Sequence, residues 1–400
     1  MPDPLSLNVQ HLRPSETVAI SNETKRRKAA GEDVYDLSVG EPDFDTPAPI
    51  AQAGIQAIQK GMTRYPPNAG LAELRQAMAA DLSRMSGGRP VNPDHLVVSN
   101  GSKQAIFNAC MVLFGPSHRV LIPGPAWVSY PQIVHLTRAE PVIVHGDPEW
   151  GLKVSVKDLE QHHTTLTKGL ILCSPSNPTG AVYTLTELRA IAEWAARHEI
   201  WVIADEIYRR INYGPKPAPS FLDLPDELLE RVVLIYGASK AYAMTGWRIG
   251  AAMAPPHVAR AIAAFQSHTT TGANHVAQWA AVTAFSDPRV AEDVDRMVAA
   301  FRRRRDHVVS RFRAEAPGIE FVEPHGAFYF FFRVDGVRQG LTGTEFCAQL
   351  MQQEGVALVP GAAFADDRWV RMSYAVSDRE LEAALDRILR LVGRLSAAAA

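Results

Sequence analysis

Val232-Val233-Leu234-Ile235-Tyr236-Gly237-Ala238-Ser239-Lys240 is an unbroken apolar run that ends in a small-residue turn and a lysine. A run without polar alternation suits a strand covered on both faces, and such strands belong to parallel sheets flanked by helices. Five more runs share the pattern: His95–Ser99, Val120–Ile122, Pro141–Val144, Leu170–Cys173 and Trp201–Ala204. Helical patterns lie between them, for example Leu185–Arg197, opened by Thr184 with Glu187 three residues on, a capping box. The alternation predicts an α/β fold: a three-layer α/β/α large domain around a mostly parallel sheet.

The last third of the chain reads differently. Long helical patterns over Pro288–Ala314 and Asp378–Leu395 flank short strands near Ala327–Arg333 and Trp369–Tyr374. We expect a large domain over residues 47–295 and a smaller α+β domain over 296–400. Residues 1–46 are too few for a domain and are expected to pack with the small one. Ala397–Ala400 reads as a frayed end.

The chain has 400 residues, 41 Lys+Arg against 43 Asp+Glu, and a net charge of −2, so it carries no global field for nucleic acid or an anionic membrane. Arg302–Arg305, a basic run, falls in a helical pattern and reads as a solvated face. No apolar run reaches the length of a membrane span, and Met1–Gln10 lacks the features of a signal peptide. Cys110, Cys173 and Cys347 form neither a disulfide framework nor a CxxC metal pair, which fits a reducing cytoplasm. No metal site is expected.

Ligands of open α/β sheets bind beyond the carboxyl ends of the strands. After His95–Ser99 come Asn100-Gly101-Ser102-Lys103-Gln104, a turn opening a helix, which is either an anion site or a plain N-cap. After Leu170–Cys173 comes Ser174-Pro175-Ser176-Asn177-Pro178-Thr179-Gly180, which taken alone is a turn-forming loop. After Trp201–Ala204 comes Asp205, a costly buried carboxylate unless it pairs with a cation or caps the next turn. After Val232–Tyr236 comes Lys240, whose amine would be nucleophilic if partly desolvated, and Arg248 follows eight residues on. The set together suits a phosphorylated pyridine aldehyde: an amine for the aldehyde, a carboxylate for the ring nitrogen, an amide for the ring hydroxyl, a turn and a guanidinium for the phosphate.

Gly237-Ala238-Ser239-Lys240 through Trp247-Arg248-Ile249-Gly250 resembles the attachment motif of the class I pyridoxal-phosphate-dependent aminotransferases, of fold type I. The resemblance covers nearly the whole chain. Val39-Gly40-Glu41-Pro42-Asp43-Phe44-Asp45-Thr46-Pro47, Arg64-Tyr65-Pro66-Pro67-Asn68-Ala69-Gly70, Ser174–Gly180, Asp205–Tyr208 and Arg371-Met372-Ser373-Tyr374-Ala375 are similar to family segments in order and spacing. It implies pyridoxal 5'-phosphate as cofactor and a ping-pong exchange between an amino acid and a 2-oxo acid. Lys240 would hold the cofactor and move the proton, Asp205 would keep the pyridine nitrogen protonated, and Asn177 and Tyr208 would bond the ring oxygen. Gly101, Ser102, Arg248 and, across a homodimer, Tyr65 would bind the phosphate. Trp127 would stack on the ring, its alternative being a core aromatic. Arg371 would clamp the substrate carboxylate, helped by Asn177, and Gly40 would allow close backbone approach. Gly237 stands where the family often has a serine, so one phosphate hydroxyl is absent there.

An aspartate aminotransferase subgroup binds the distal carboxylate through a lysine after the phosphate-binding glycines and a threonine near the N-terminus. Lys103 and Thr17 match these positions, and the resemblance therefore implies aspartate or glutamate with their oxo acids. The alternative for Lys103 is a solvated lysine in the first turn of a helix. Prephenate or broad aromatic transamination by the same subgroup, or a C–S lyase, decarboxylase or cyclopropane-forming reaction on the same cofactor, are the competing readings. A transcription regulator lacks room for a DNA-binding domain before Pro47, and a Rossmann oxidoreductase lacks GxGxxG.

Overall fold

A computed structural model describes residues 5–10, 12–14, 16–214 and 217–397. Residues 1–4 and the final alanines 398–400, parts of the two terminal readings above, lie outside the described residues.

The large sheet has seven strands: β1 (Leu96–Asn100), β2 (Arg119–Gly124), β3 (Glu140–His145), β4 (Thr167–Cys173), β5 (Trp201–Asp205), β6 (Val232–Gly237) and β7 (Ile249–Met253). Their spatial order is β1-β7-β6-β5-β4-β2-β3. Pairings are parallel from β6 through β3, and β7 runs antiparallel to both β6 and β1. All six apolar runs became strands. Every residue of β6 is buried, since helices cover both faces of the sheet. Burying an aliphatic side chain of this kind is worth about 1.5–3 kcal/mol, which is why such runs cannot alternate. The helix Leu185–Arg197 carries the expected Thr184–Glu187 capping box and buries Leu188, Ile191, Ala192, Trp194 and Ala195 on one face.

The seventh strand, β7, went unread in the sequence. Ile249-Gly250-Ala251-Ala252-Met253 has one β-branched residue, too little to mark a strand. Gly250 is required by packing: a Cβ there would strike the backbone of Ser102.

A second, antiparallel sheet holds β8 (Phe321–Val322), β9 (Tyr329–Arg333), β10 (Val359–Pro360) and β11 (Trp369–Ser373) in the order β10-β11-β9-β8. The helices Pro288–Glu315 and Asp378–Ala397 accompany it. Residues Tyr35–Asp36 pair in parallel with Val356–Ala357. One hydrophobic cluster joins Leu37, Leu96, Val98, Val308, Phe330 and Leu385, so the core is continuous from the large sheet to the small one.

The basic run is only half a solvated face. Arg302 and Arg303 are exposed, but Arg304 is buried and donates to Asp43 (2.8 Å) and Asp378 (2.6 Å), and Arg305 donates to the Pro324 carbonyl (2.8 Å). A four-residue run on a helix covers more than one turn, so it cannot all face one side. Among the described residues no helix is long and apolar enough to cross a membrane.

Candidate active site

The carboxyl edge of the large sheet borders a cavity of about 570 Å³. The strand order explains what gathers there. β4, β5 and β6 are parallel neighbours and end at the same edge, delivering Asn177, Asp205 and Lys240. β7 runs the other way, so its beginning lies at that edge and Arg248 arrives opposite Gly101, one step beyond the Asn100–Ile249 pair.

Asp205 is the last residue of β5, paired with Cys173 and Ile235 on its two sides. It is buried, and burial pushes its carboxyl above the usual range, while donation from the Tyr130 hydroxyl (2.6 Å) and the Ile207 N–H (3.2 Å) opposes that shift. Its hydrogen-bond partners are neutral and it lines the cavity. A protonated pyridine nitrogen is the cation such a carboxylate lacks.

Lys240 donates to the Gly40 carbonyl and lies 5.9 Å from the ring centroids of Tyr208 and Phe328. Desolvation brings its amine down to about 8, against 10.5 for a free lysine, with the cations Arg371 and Arg248 acting in the same direction. An amine of that pKa is unprotonated in about one molecule in ten at pH 7, a few hundredfold more than a free lysine, and can attack an aldehyde.

The helix Ser102–Leu113 opens at Gly101, whose φ of +81° suits glycine. A Cβ on Gly101 would strike the Arg248 guanidinium, so guanidinium and helix N-terminus converge on one place. Arg248 Nη1 donates to the Thr245 carbonyl (2.8 Å) and Nη2 to the Asn100 carbonyl (3.4 Å), both neutral groups. The pairing of a helix N-terminus with an arginine fits a phosphate. A Cβ on Gly237 would lie 2.8 Å from Ser102 Oγ and 3.0 Å from Gly250 Cα, so the Ser102 hydroxyl takes the room a serine there would need.

Arg371, in the middle of β11, is 2% exposed. Its Nη1 donates to Asn177 Oδ1 (2.9 Å) and its Nη2 to the Ser38 carbonyl (2.6 Å), while its buried Nε has no partner. It lies 4.5 Å from the Tyr329 ring centroid and 5.0 Å from that of Phe364. Burial lowers the pKa of this guanidinium, as expected of a cation whose hydrogen-bond acceptors are neutral. A ligand carboxylate would complete it.

Thr17, Gly40, Ser102, Lys103, Trp127, Asn177, Asp205, Tyr208, Lys240, Arg248 and Arg371 all line the one cavity. Lys103 Nζ sits 4.8 Å from the Trp127 ring centroid, and burial together with Arg248 lowers its pKa. Tyr208 exchanges a hydrogen bond with the Tyr329 hydroxyl (2.8 Å), an arrangement that aims both phenols at the cavity wall. Two expected site residues are not on the lining: Gly101, which lies behind the Arg248 guanidinium at the start of the helix, and Tyr65, which is 88% exposed.

Tyr130 and Tyr329 are lining residues that escaped the sequence. Tyr130 holds Asp205, and Tyr329 joins Tyr208, Arg371 and Gly40, where a Cβ would lie 2.6 Å from the Tyr329 hydroxyl. The only local mark of Tyr329 is that it is the one hydroxyl in Phe328-Tyr329-Phe330-Phe331-Phe332, which does not tell what it touches. Tyr130 follows Trp127 by three residues, which places both on one face of a helical turn, and they meet edge to face at 5.2 Å.

The profile of the family described as aminotransferase class I and II matches residues 32–388. A bifunctional aspartate aminotransferase and glutamate/aspartate-prephenate aminotransferase of Petunia hybrida is 45% identical over 394 residues, covering 96% of this chain and 82% of its own. An aspartate aminotransferase of Bacillus subtilis (strain 168) is 39% identical over 395 residues, covering 98% and 100%. The solved aspartate aminotransferase from Thermus thermophilus with maleate superposes with a TM-score of 0.91 at 36% identity, covering 97% of this chain and all of the other. Lysine, carboxylate, anion cradle and buried arginine at one cleft thus occur in a chain that belongs to the class I and II aminotransferases, enzymes that use pyridoxal 5'-phosphate to exchange an amino group between an amino acid and a 2-oxo acid.

Proposed function

We propose that this aminotransferase acts on dicarboxylic substrates, aspartate and glutamate with their 2-oxo acids. The observation that carries the reading is the pair of cations Arg371 and Lys103 on one cavity, one for each carboxylate. A relative solved with maleate, a four-carbon dicarboxylate, supports it, as do relatives named for aspartate. Prephenate is a second reading favoured by the Petunia relative. It too is a 2-oxo acid with a second carboxylate, so the same two cations would serve it.

The residues take the following parts. Gly101, Ser102 and Arg248 hold the cofactor phosphate, with Tyr65 from a second subunit. Asp205, steadied by Tyr130, holds the pyridine nitrogen, Asn177 and Tyr208 face the ring oxygen, and Trp127 covers one face. The cofactor, when bound, supplies an electron sink for the charge left on the substrate's α-carbon. Arg371 takes the α-carboxylate, using the Nε that is otherwise unpartnered. Lys240 removes the α-proton with its neutral amine and returns it on the other side of the exchange. Thr17 and Lys103 orient the distal carboxylate.

The same reading makes residues 47–295 the cofactor-binding domain, 296–400 the small domain, and 1–46 a segment packed with it. It places the enzyme in the cytoplasm, where the free thiols of Cys110, Cys173 and Cys347 stay reduced. The exposed Tyr65 supports a homodimer whose sites are completed in trans.

The test is a donor panel on Lys103→Ala. Loss of a charge-assisted contact, about 1.5–3 kcal/mol, should cut kcat/KM for aspartate tenfold or more and leave phenylalanine nearly unchanged. Equal losses on both donors would remove the dicarboxylate reading. A subgroup preference for prephenate would appear as a higher kcat/KM for prephenate than for 2-oxoglutarate as acceptor.

A further inference from the structure

Away from the cavity, Glu160, His163 and His198 come together on the surface of the large sheet's helical layer. Their ligand atoms all lie within 4.8 Å of one another, and among the described residues no other group of three metal-ligating side chains is so close. Glu160 lies in the helix Val156–His162, His163 caps the end of that helix, and His198 caps the end of the helix Leu185–Arg197. Two chain segments about 35 residues apart are thus joined by three side chains.

Several features favour a cation there. The imidazole rings of His163 and His198 are 4.2 Å apart between centroids, so one ion can reach a nitrogen of each. The thirteen-residue helix Leu185–Arg197 points its carboxyl end, the negative end of its dipole, at the group. Glu160 Oε2 accepts from the Trp194 indole N–H (2.6 Å) and lies 3.1 Å from His198 Nε2. Trp194 is buried, so its indole holds the carboxylate in place from behind, as a partner behind a ligand does in metal sites.

We propose that Glu160, His163 and His198 bind a divalent transition cation of the zinc type. Two imidazole nitrogens and one carboxylate oxygen are the ligand chemistry zinc prefers, at about 2.0–2.2 Å each, and a fourth position stays open to water. Tetrahedral coordination sets ligands about 3.5 Å apart, so side-chain rotations of about an ångström close the site. On binding, the Nε2 proton that faces Glu160 passes by way of solvent to Nδ1, and the lone pair this uncovers on Nε2 turns to the metal. The cation then ties the end of one helix to the end of the other. No reaction at the cofactor is involved.

The experiment uses the holoenzyme, stripped of metal by dialysis and titrated with Zn²⁺ by calorimetry, with Co²⁺ absorbance as a second probe. One Zn²⁺ per chain should bind and raise Tm, and His163→Gln and His198→Gln should each weaken binding by about tenfold or more with transaminase activity unchanged. Glu160→Ala, at an exposed side chain, supplies the same comparison should a histidine variant fold poorly. Diffraction from a zinc-soaked crystal should place an anomalous peak among the three side chains. Absence of binding at about 1 mM Zn²⁺, a peak elsewhere only, or unchanged affinity in the His163→Gln/His198→Gln double variant would each overturn the proposal.

Discussion

The Tyr130 hydroxyl donates to Asp205 across 2.6 Å, from a helix that begins at Ser129 to the last residue of β5. The bond is charge-assisted when the carboxylate is ionised, and it works against the burial that would protonate Asp205.

Tyr130→Phe removes that donor without changing the ring. The Asp205 carboxyl should shift further up, and kcat/KM should fall about ten- to a hundredfold, the worth of a hydrogen bond to a charged group. The fall should be largest toward low pH, where a raised carboxyl is protonated first. A pH profile of kcat/KM parallel to that of the parent enzyme would contradict this role for Tyr130.

The Lys240 amine of the cofactor-free protein should titrate near 8. Below that value it is an ammonium without a lone pair, so its reductive alkylation, followed by peptide mapping, should accelerate as pH rises through about 8 and then level off. Exposed lysines should keep accelerating toward their usual 10.5. The shift also has a stability sign: between about 8 and 10.5 the unfolded chain holds a proton here that the folded chain has lost, so this group makes stability rise with pH across that window. In the holoenzyme, Lys240→Ala should lower kcat by about 10⁴-fold or more, with the far-ultraviolet spectrum intact.

Arg371→Lys keeps the charge and loses the planar fork. A lysine cannot donate to Asn177 Oδ1, the Ser38 carbonyl and a ligand in the same plane. We expect kcat/KM to fall tenfold to about a hundredfold for aspartate and phenylalanine alike, because every amino acid carries the α-carboxylate. A loss confined to dicarboxylates would assign Arg371 to the distal end instead.

Arg304→Met should destabilise the fold and spare the chemistry. The guanidinium bridges Asp43, near the start of the chain, to Asp378 at the head of the last helix. Removing it should cost about 1–3 kcal/mol, read as a lower urea midpoint at constant m, with KM for aspartate unchanged.

These residues also show what a sequence discloses and what it hides. The six continuous apolar runs were legible because burial on both faces forbids polar alternation, and the residues after four of them line or adjoin one cavity. β7 was hidden because it has one β-branched residue and because its Gly250 is required by the close approach of Ser102, a constraint written in another part of the chain. Tyr130 and Tyr329 were hidden for a related reason. Each acts through a partner 75 or 121 positions away, Asp205 or Tyr208, and local spacing carries no trace of such a contact. The buried half of Arg302–Arg305 could have been suspected from helical geometry alone, since four successive residues span more than a full turn.

The reversal of β7 has a mechanical consequence. The loop from Ala238 to Arg248 leaves the sheet at β6 and returns at β7, two strands hydrogen-bonded to each other at Gly237 and Gly250. Lys240 and Arg248 therefore ride on a short excursion clamped at both ends, and the spacing between the amine and the phosphate anchor is fixed like the two jaws of a rigid gauge. Arg371 hangs from the other sheet. Any shift of one sheet against the other would alter the reach for a substrate's carboxylate and leave the grip on the cofactor as it was.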